Sequence, residues 1–302
     1  MQGVDSIQGS TKKENEILLS IQNDMVFKAV FGRDNEKCKI ILADLLNSIL
    51  DLKGHQRIQE LVYQNPFNLQ SIPTDKLSIM DIKVQTGTGE WIDIEMQMSA
   101  ANEYRKRSLY YWANLYKDSL SSAENFQKLK KCIVINITGN KCIQESNCYH
   151  THFQILESTE HFILTDHLSM HFIALASFDD TKPVEEMSEV EEWVLFLKDS
   201  DNPEKSDMMK DIVRRKEAIK MANEVLEEIK ADQQMREMVL AVEKARRDQL
   251  TREYDAREEG INIGIVTVLN IQKALKAQMK TEDILKEYNV SLAQLEEIQK
   301  NL

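Results

Sequence analysis

The sequence predicts an α/β domain followed by a region built only of helices, and three patterns support this prediction. Alternating apolar and polar residues flank a glycine-containing turn between Ile79 and Met98, which is typical of a β-hairpin. Apolar stripes at helical spacing lie on both sides of this hairpin. From Ser206 to Gly260 the chain is rich in good helix formers and nearly free of turn residues.

The length allows one large domain with an appendage or two modest domains, because the chain has 302 residues. A polar stretch from Asp199 to Lys205 contains a proline and separates two parts of different composition. We therefore predict a first domain at residues 12–200 and a helical C-terminal region at residues 204–302. The helical region is expected to serve packing, self-association or partner binding.

Charge and hydropathy exclude two classes of protein. A formal net charge of −12 argues against a general polyanion binder, so any nucleic-acid site needs its positive charge concentrated in one place. No apolar run is long enough to span a bilayer. The polar start of the chain lacks the apolar core of a signal peptide, and we expect a cytoplasmic protein without a membrane partner.

Two helices are predicted before the hairpin. Asn23 or Asp24 is a candidate N-cap for a short helix that carries Phe27 and Phe31. The segment KCKIILADLLNSIL then forms a second helix with a wide apolar stripe. Asp24 has three interpretations, a helix cap, a surface residue or an acidic group aimed at a site, and the first is favoured.

The elements after the hairpin alternate between helix and strand. A helix with an aromatic stripe is predicted from Ser99 to Leu120, followed by the apolar strand CIVINIT. Further strands are predicted from Cys148 to Phe178, and EVEEWVLFLKD forms a short amphipathic helix. Because the cysteines and histidines near Cys148 match no zinc signature, they are interpreted as reduced thiols and strand-borne imidazoles.

The hairpin is the candidate site. If its two runs pair antiparallel, Asp81 lies opposite the end of the other strand, where Glu95 and Gln97 are found. Carboxylate oxygens are ligands for Mg²⁺ or Mn²⁺, so Asp81 and Glu95 are the predicted metal ligands, joined by the main-chain carbonyl of Met96. Gln97 would orient the water that attacks a phosphodiester. The alternative is that this acidic face is simply the solvated face of a sheet.

Basic residues cluster on and after the helix that follows the hairpin, and they are the predicted DNA-binding set. They are Arg105, Lys106, Arg107, Lys128, Lys130 and Lys131. A charged flank is often only a solvated helix face. Its position directly after the acidic hairpin favours the DNA-binding interpretation.

Four motifs in order resemble the Rpn family of recombination-promoting nucleases and transposases, within the PD-(D/E)XK nuclease superfamily. They are NDMVFKAVFG, DIKVQTGTGEWIDIEMQ, RKRSLYYWANLY and EEGINIG. The resemblance is to a branch in which Gln stands in the usual Lys position, and it covers most of the chain.

This resemblance implies a restriction-endonuclease-like core, in which a mixed sheet is flanked by helices. It also implies a DNA endonuclease that depends on a divalent cation and acts in recombination or mobile-element biology. Asp81, Glu95 and Gln97 would be the catalytic positions, with Asp24 as a helper. The alternative from another class is a catalytically silent relative that binds partners, including a second copy of itself, through its helical tail.

Overall fold

The fold was examined in a computed structural model, which describes residues 19–67, 81–98, 103–121 and 124–300. Within these residues, six strands form one mixed sheet in the order β1-β2-β3-β4-β6-β5. The strands are β1 (Leu61–Tyr63), β2 (Ile82–Thr86), β3 (Trp91–Gln97), β4 (Cys132–Thr138), β5 (His150–Leu156) and β6 (Ile163–Ala174). Strands β3, β4 and β6 run parallel, and the remaining pairings are antiparallel.

The described helices precede, interrupt and follow the sheet. They are α1 (Asp24–Phe31), α2 (Glu36–Ile49), α3 (Tyr104–Asp118), α4 (Glu189–Asp199), α5 (Ser206–Arg215), α6 (Glu217–Ala231), α7 (Gln233–Lys276), α8 (Thr281–Glu287) and α9 (Leu292–Lys300). The α/β class and the helical C-terminal region are therefore as the sequence predicts. None of the described helices is both long and apolar enough to cross a membrane.

The hairpin is confirmed as strands β2 and β3. Ile82 pairs with Ile94, and Lys83 pairs with Asp93. The turn closes through the Thr86 N–H, which donates to the Glu90 carbonyl at 2.9 Å, and Gly89 adopts a φ of +88° that favours glycine. Ile82 and Ile94 are fully buried on one face, so the polar partners share the opposite face. Residues 79 and 80 of the predicted hairpin lie outside the described residues.

Helix α1 sits in a layer with α2, α4 and α6 and also packs against β3. Its core is aromatic: the Phe31 ring centroid lies 4.6 Å from that of Phe27 and 5.9 Å from that of Trp193. The N-cap is Asn23, whose side chain accepts from the first free N–H groups of the helix. The favoured interpretation of Asp24 as the cap is thus wrong, because Asp24 is the first residue inside the helix.

Helix α3 covers the opposite face of the sheet. Tyr104 and Leu115 are buried there against side chains of β4 and β6, including Val134 and Phe172. The predicted aromatic stripe is therefore partly core. Because β3, β4 and β6 are parallel, their carboxyl ends lie together at one end of the sheet, beside the first turn of α3. Ligand sites in open α/β sheets lie just beyond these strand ends.

The chain divides into two compact units, the first ending at Ala241 and the second beginning at Val242. Helices α5 and α6 belong to the first unit, because α6 packs on α1 and α2 and α5 packs on α4. Their heptad-spaced residues Ile212, Ile219 and Leu226 are fully buried. The predicted boundary between residues 200 and 204 falls inside this unit. The second unit has its own small core, which contains Ile271, Ala274, Ile284 and Leu295.

A chain of hydrogen bonds links three histidines on β5 and β6. His150 Nε2 lies 3.0 Å from His171 Nδ1, and Ser169 Oγ lies 3.0 Å from His171 Nε2 and 2.9 Å from His152 Nε2. Burial, together with the neighbouring His152 and His150, lowers the pKa of His171 to about 2. The folded protein therefore holds this imidazole neutral.

We expect this buried imidazole to make the protein sensitive to acid. The pKa of His171 is lower in the folded state than its ordinary value of 6.5, so the unfolded state binds more protons below that pH. Stability should be full above about pH 6.5 and fall as the pH decreases from there. Thermal unfolding between about pH 4 and about pH 8 tests this, with a weaker pH dependence expected for His171→Asn. The exposed His55→Asn should keep the wild-type slope, and an unchanged slope in His171→Asn would contradict the assignment.

Candidate active site

The structure brings Asp81 and Glu95 together as the sequence predicts. Asp81 directly precedes β2, and the register that pairs Ile82 with Ile94 continues to place it opposite Glu95. The two carboxylates influence each other electrostatically, since Asp81 contributes to raising the pKa of Glu95. Both are withdrawn from solvent, with 14% and 4% of the respective side chains exposed.

Asp81 is held by polar groups from β2 and from the end of β1. Asn65 Nδ2 donates to Asp81 Oδ1 at 3.1 Å and to its carbonyl oxygen at 3.2 Å. The Asn65 side-chain oxygen in turn accepts from the Lys83 N–H at 2.7 Å. Lys83 Nζ lies 2.9 Å from Asp81 Oδ2. Asn65 thus fixes the chain where it enters β2, and Lys83 balances the charge of the carboxylate.

Glu95 is held from the side of helix α3. The Tyr104 hydroxyl donates to Glu95 Oε2 at 2.7 Å, and Arg107 Nη2 lies 3.4 Å from the same oxygen. Burial raises the pKa of Glu95, and the hydrogen bond from Tyr104 and the charge of Arg107 oppose this increase. One oxygen of the carboxylate is therefore anchored while the other is left for a further contact.

Arg107, which contacts Glu95, also contacts Gln97. Arg107 Nη2 donates to Gln97 Oε1 at 3.2 Å. The guanidinium stacks over two tyrosine rings, 5.0 Å from the Tyr104 centroid and 5.5 Å from that of Tyr111. Arg107 therefore brings a positive charge to the neutral glutamine, which cannot supply one itself.

A third carboxylate, Asp93, belongs to this face. It is 1% exposed and lies opposite Lys83 in the register, two residues before Glu95 on the same strand. Burial and the neighbouring Asp81 raise the pKa of Asp93 to about 8, with a smaller contribution from Glu95. Three acidic groups are thus concentrated in one partly dry region.

Three buried oxygens at this site have no hydrogen-bond partner among the described residues. They are Asp93 Oδ1, Glu95 Oε1 and Asn136 Oδ1. Asn136 is the register neighbour of Glu95 on β4, and its amide nitrogen donates to the His171 carbonyl at 3.0 Å. Leaving buried oxygens unsatisfied is costly, and hard oxygen donors of this kind suit Mg²⁺ or Mn²⁺. The residues therefore fit a divalent cation.

The arrangement is not a preformed cage. In the described part of the chain, no group of three or more His, Cys, Asp or Glu side chains is arranged to hold a metal ion. Mg²⁺ commonly uses only one or two carboxylates and completes its shell with water and substrate phosphate. Met96, whose main-chain carbonyl is the third predicted ligand, is buried in β3 and lies opposite Ile137 of β4 in the register.

Helix α1 contributes a buried cation at the same end of the sheet. Lys28 is 8% exposed and lies one helical turn after Asp24, so the two residues share a face of the helix. Asp24 itself is only half-buried. The charge of Lys28 acts on Asp93, since it opposes the increase in the pKa of that carboxyl.

The six predicted DNA-binding residues do not form one patch. Arg107 lies in the site, Lys106 is exposed next to it, and Arg105 forms an ion pair with Glu145 at 2.9 Å. The three later lysines precede β4 at the other end of the sheet. Lys128 pairs with Glu124 at 3.0 Å, Lys130 lies against Gly89, and Lys131 lines a cavity of about 810 Å³ together with the three linked histidines.

Comparison with known proteins identifies one family. The family described as PD-(D/E)XK nuclease family transposase matches residues 21–253. The chain belongs to this family. No curated protein and no solved structure matches it. The resemblance that the sequence motifs suggest is thereby confirmed, and the matched residues span the sheet, the site and most of helices α1 to α7.

Within this PD-(D/E)XK family member, sequence reasoning missed several residues of the site. Asp93 and Lys83 could have been found, because they alternate with the apolar residues of the hairpin and so share a face with Asp81 and Glu95. Asn136 is the polar residue in the middle of an otherwise apolar strand. Asn65 carries no such signal. Lys28 belongs to the NDMVFKAVFG motif, but only the folded chain brings either residue to the hairpin.

The anchor on Glu95 leads to a prediction about stability. Tyr104→Phe removes a hydrogen bond to a buried carboxylate, so we expect the free energy of unfolding to fall by about 1.5–3 kcal/mol. Urea unfolding monitored by circular dichroism measures this change. Tyr110→Phe on the same helix is the matched control, because Tyr110 is 64% exposed and should tolerate the change. Equal stability of the two variants would contradict the role of Tyr104.

Proposed function

We propose that this protein is a divalent-metal-dependent DNA endonuclease that hydrolyses phosphodiester bonds in recombination or mobile-element biology. Its membership of the PD-(D/E)XK nuclease family transposases supports nuclease chemistry. The observation that carries the proposal is the set of buried oxygens on Asp93, Glu95 and Asn136, next to Asp81, which have no hydrogen-bond partner among the described residues. Oxygens kept dry and unpaired at the carboxyl edge of a sheet are suited to a cation.

Each residue of the candidate site has a separate role in the proposed reaction. Asp81 and Glu95 would hold Mg²⁺ or Mn²⁺, with Asp93 supplying a further oxygen and the Met96 carbonyl kept as a predicted ligand. When bound, such an ion polarises the phosphate and stabilises negative charge on the leaving oxygen. Gln97 orients the attacking water through its amide, while Arg107 holds the side chains of Glu95 and Gln97 in place.

Hydrolysis itself is a displacement at phosphorus. The water oxygen forms a bond to phosphorus and gives up a proton, the bond from phosphorus to the sugar oxygen breaks, and the leaving oxygen takes up a proton. Asp24 is half-buried at the start of α1 and remains a predicted helper of this step. DNA would approach over the first turn of α3, where Lys106 and Arg107 provide positive charge on an otherwise acidic molecule.

Cleavage of plasmid DNA with Mg²⁺ or Mn²⁺ tests the proposal. We expect Asp81→Ala and Glu95→Ala each to lower the cleavage rate at least about 100-fold, because each removes charge that the reaction requires. Glu145→Ala is a suitable control, since Glu145 is exposed and its ion pair is with Arg105, which is also exposed on α3. Equal cutting by wild type and both site variants would show that the hairpin is not the catalytic site.

The predicted basic residues lie at two ends of the sheet, and this separation allows a second test, which concerns DNA binding. Lys106→Glu should weaken binding and reduce its dependence on salt, because it reverses a charge beside the site. Lys131→Glu should have little effect, because Lys131 lines the cavity at the other end of the sheet. Fluorescence anisotropy with labelled DNA at several salt concentrations measures both. The reverse ranking would place DNA at the opposite end of the sheet.

A second candidate function is a catalytically silent scaffold that acts through its helical tail. The observation in its favour is the row of exposed apolar residues on α7, which includes Leu250, Tyr254, Ile261 and Ile265. Self-association through the C-terminal helices and a cytoplasmic location stay predictions of the sequence. Wild-type protein that fails to cut DNA with any divalent cation, yet forms dimers that Ile261→Lys disrupts in light scattering, would favour this function over the enzyme.

A further inference from the structure

A buried ammonium group approaches the carboxylates from helix α1. Lys28 is 8% exposed, and lysine is seldom buried unless it is paired. A Cβ atom placed on Gly32 would lie 3.0 Å from Lys28 Cγ and 3.4 Å from Ile82 Cγ1. The stem of Lys28 therefore runs beside Ile82. Because Ile82 directly follows Asp81, the side chain lies at the start of β2, at the same end of the hairpin as Asp81, and the charges of Asp81 and Asp93 act on it.

Lys28 influences the acidic groups without forming an ion pair with them. Burial lowers its pKa, and the charges of Asp81 and Asp93 oppose that decrease. Among the described residues, however, Lys28 has no ion pair within 4.0 Å. Lys83 is different, because its Nζ lies 2.9 Å from Asp81 Oδ2 and its side chain is 41% exposed.

The two described cations that contact the carboxylates are already engaged by protein groups. Arg107 binds Glu95 and Gln97 and stacks on tyrosine rings, and Lys83 is paired with Asp81. Gln97 is neutral. Lys28 is thus the buried cation whose charge is not used by a neighbouring carboxylate within the described residues. Burying an ammonium group that has no ion pair among the described residues costs stability. Such a cost is typical of functional sites.

We infer that Lys28 is a catalytic residue whose ammonium group contacts the scissile phosphate and stabilises the negative charge that develops there during hydrolysis. This inference rests on the proposed nuclease function and goes beyond it by assigning the positive charge that Gln97 lacks. No proton transfer is assigned to Lys28. Its contribution is electrostatic, and such groups act most strongly where water is excluded.

The test is Lys28→Met, which keeps the apolar stem and removes the charge. We expect kcat for Mn²⁺-dependent DNA cleavage to fall at least about 100-fold, with little change in KM for DNA. The Mn²⁺ dissociation constant from titration calorimetry should stay within about threefold, because the oxygen ligands are retained. The melting temperature should be equal or higher, since a buried unpaired charge is replaced by an apolar group.

Two further variants make the test specific. Lys39→Met removes a surface lysine of α2 that pairs with Asp34, and it should leave cleavage unchanged. Lys83→Met removes the competing lysine and should reduce kcat less than Lys28→Met does. A larger loss in Lys83→Met would transfer the role to Lys83 and overturn the inference.

The remaining outcomes separate the inference from the proposed function. Wild-type cleavage together with an equally active Lys28→Met overturns the inference alone. Loss of both cleavage and Mn²⁺ binding, or a lower melting temperature, shows that Lys28 holds the site together and also overturns it. Wild-type protein that does not cleave DNA overturns the proposed function, and the inference with it.

Discussion

The antiparallel register between β2 and β3 is the constraint on which the site depends. Pairing Ile82 with Ile94 places Asp81 opposite Glu95 and Lys83 opposite Asp93. A shift of one residue would exchange the two faces of a strand, exposing isoleucines and burying charges on the apolar side. The buried isoleucines therefore fix the position of the carboxylates, so that core packing and the chemistry of the site have the same cause.

Concentrating acidic groups in a partly dry region requires compensating groups, and these come from every neighbouring element. Asn65 and Lys83 hold Asp81, whereas Tyr104 and Arg107 hold Glu95. The compensation is incomplete, because oxygens of Asp93, Glu95 and Asn136 remain without a partner in the described part of the protein. Buried polar atoms are normally satisfied, so this shortfall supports the proposal that the site takes a ligand.

The two faces of the sheet carry different chemistry. On the face covered by α3, carboxylates and an arginine meet at the carboxyl edge of the parallel strands. The linked histidines of β5 and β6 line the 810 Å³ cavity together with Lys131 and residues before β1. Burial keeps His171 neutral, so this imidazole adds no charge to that face of the sheet. The charged groups around the carboxylates therefore come from α1, α3 and the hairpin.

The sequence by itself determined the α/β class, the hairpin and the convergence of Asp81, Glu95 and Gln97, because alternation in a strand and pairing across a tight turn are local rules. Its motifs also indicated the family. Tertiary structure alone decided that Lys28 and Asn65 reach the hairpin, that the predicted basic residues separate to two ends of the sheet, and that α5 and α6 join the first compact unit. These features depend on contacts between segments far apart in the chain, and no local periodicity encodes which helix packs on which strand.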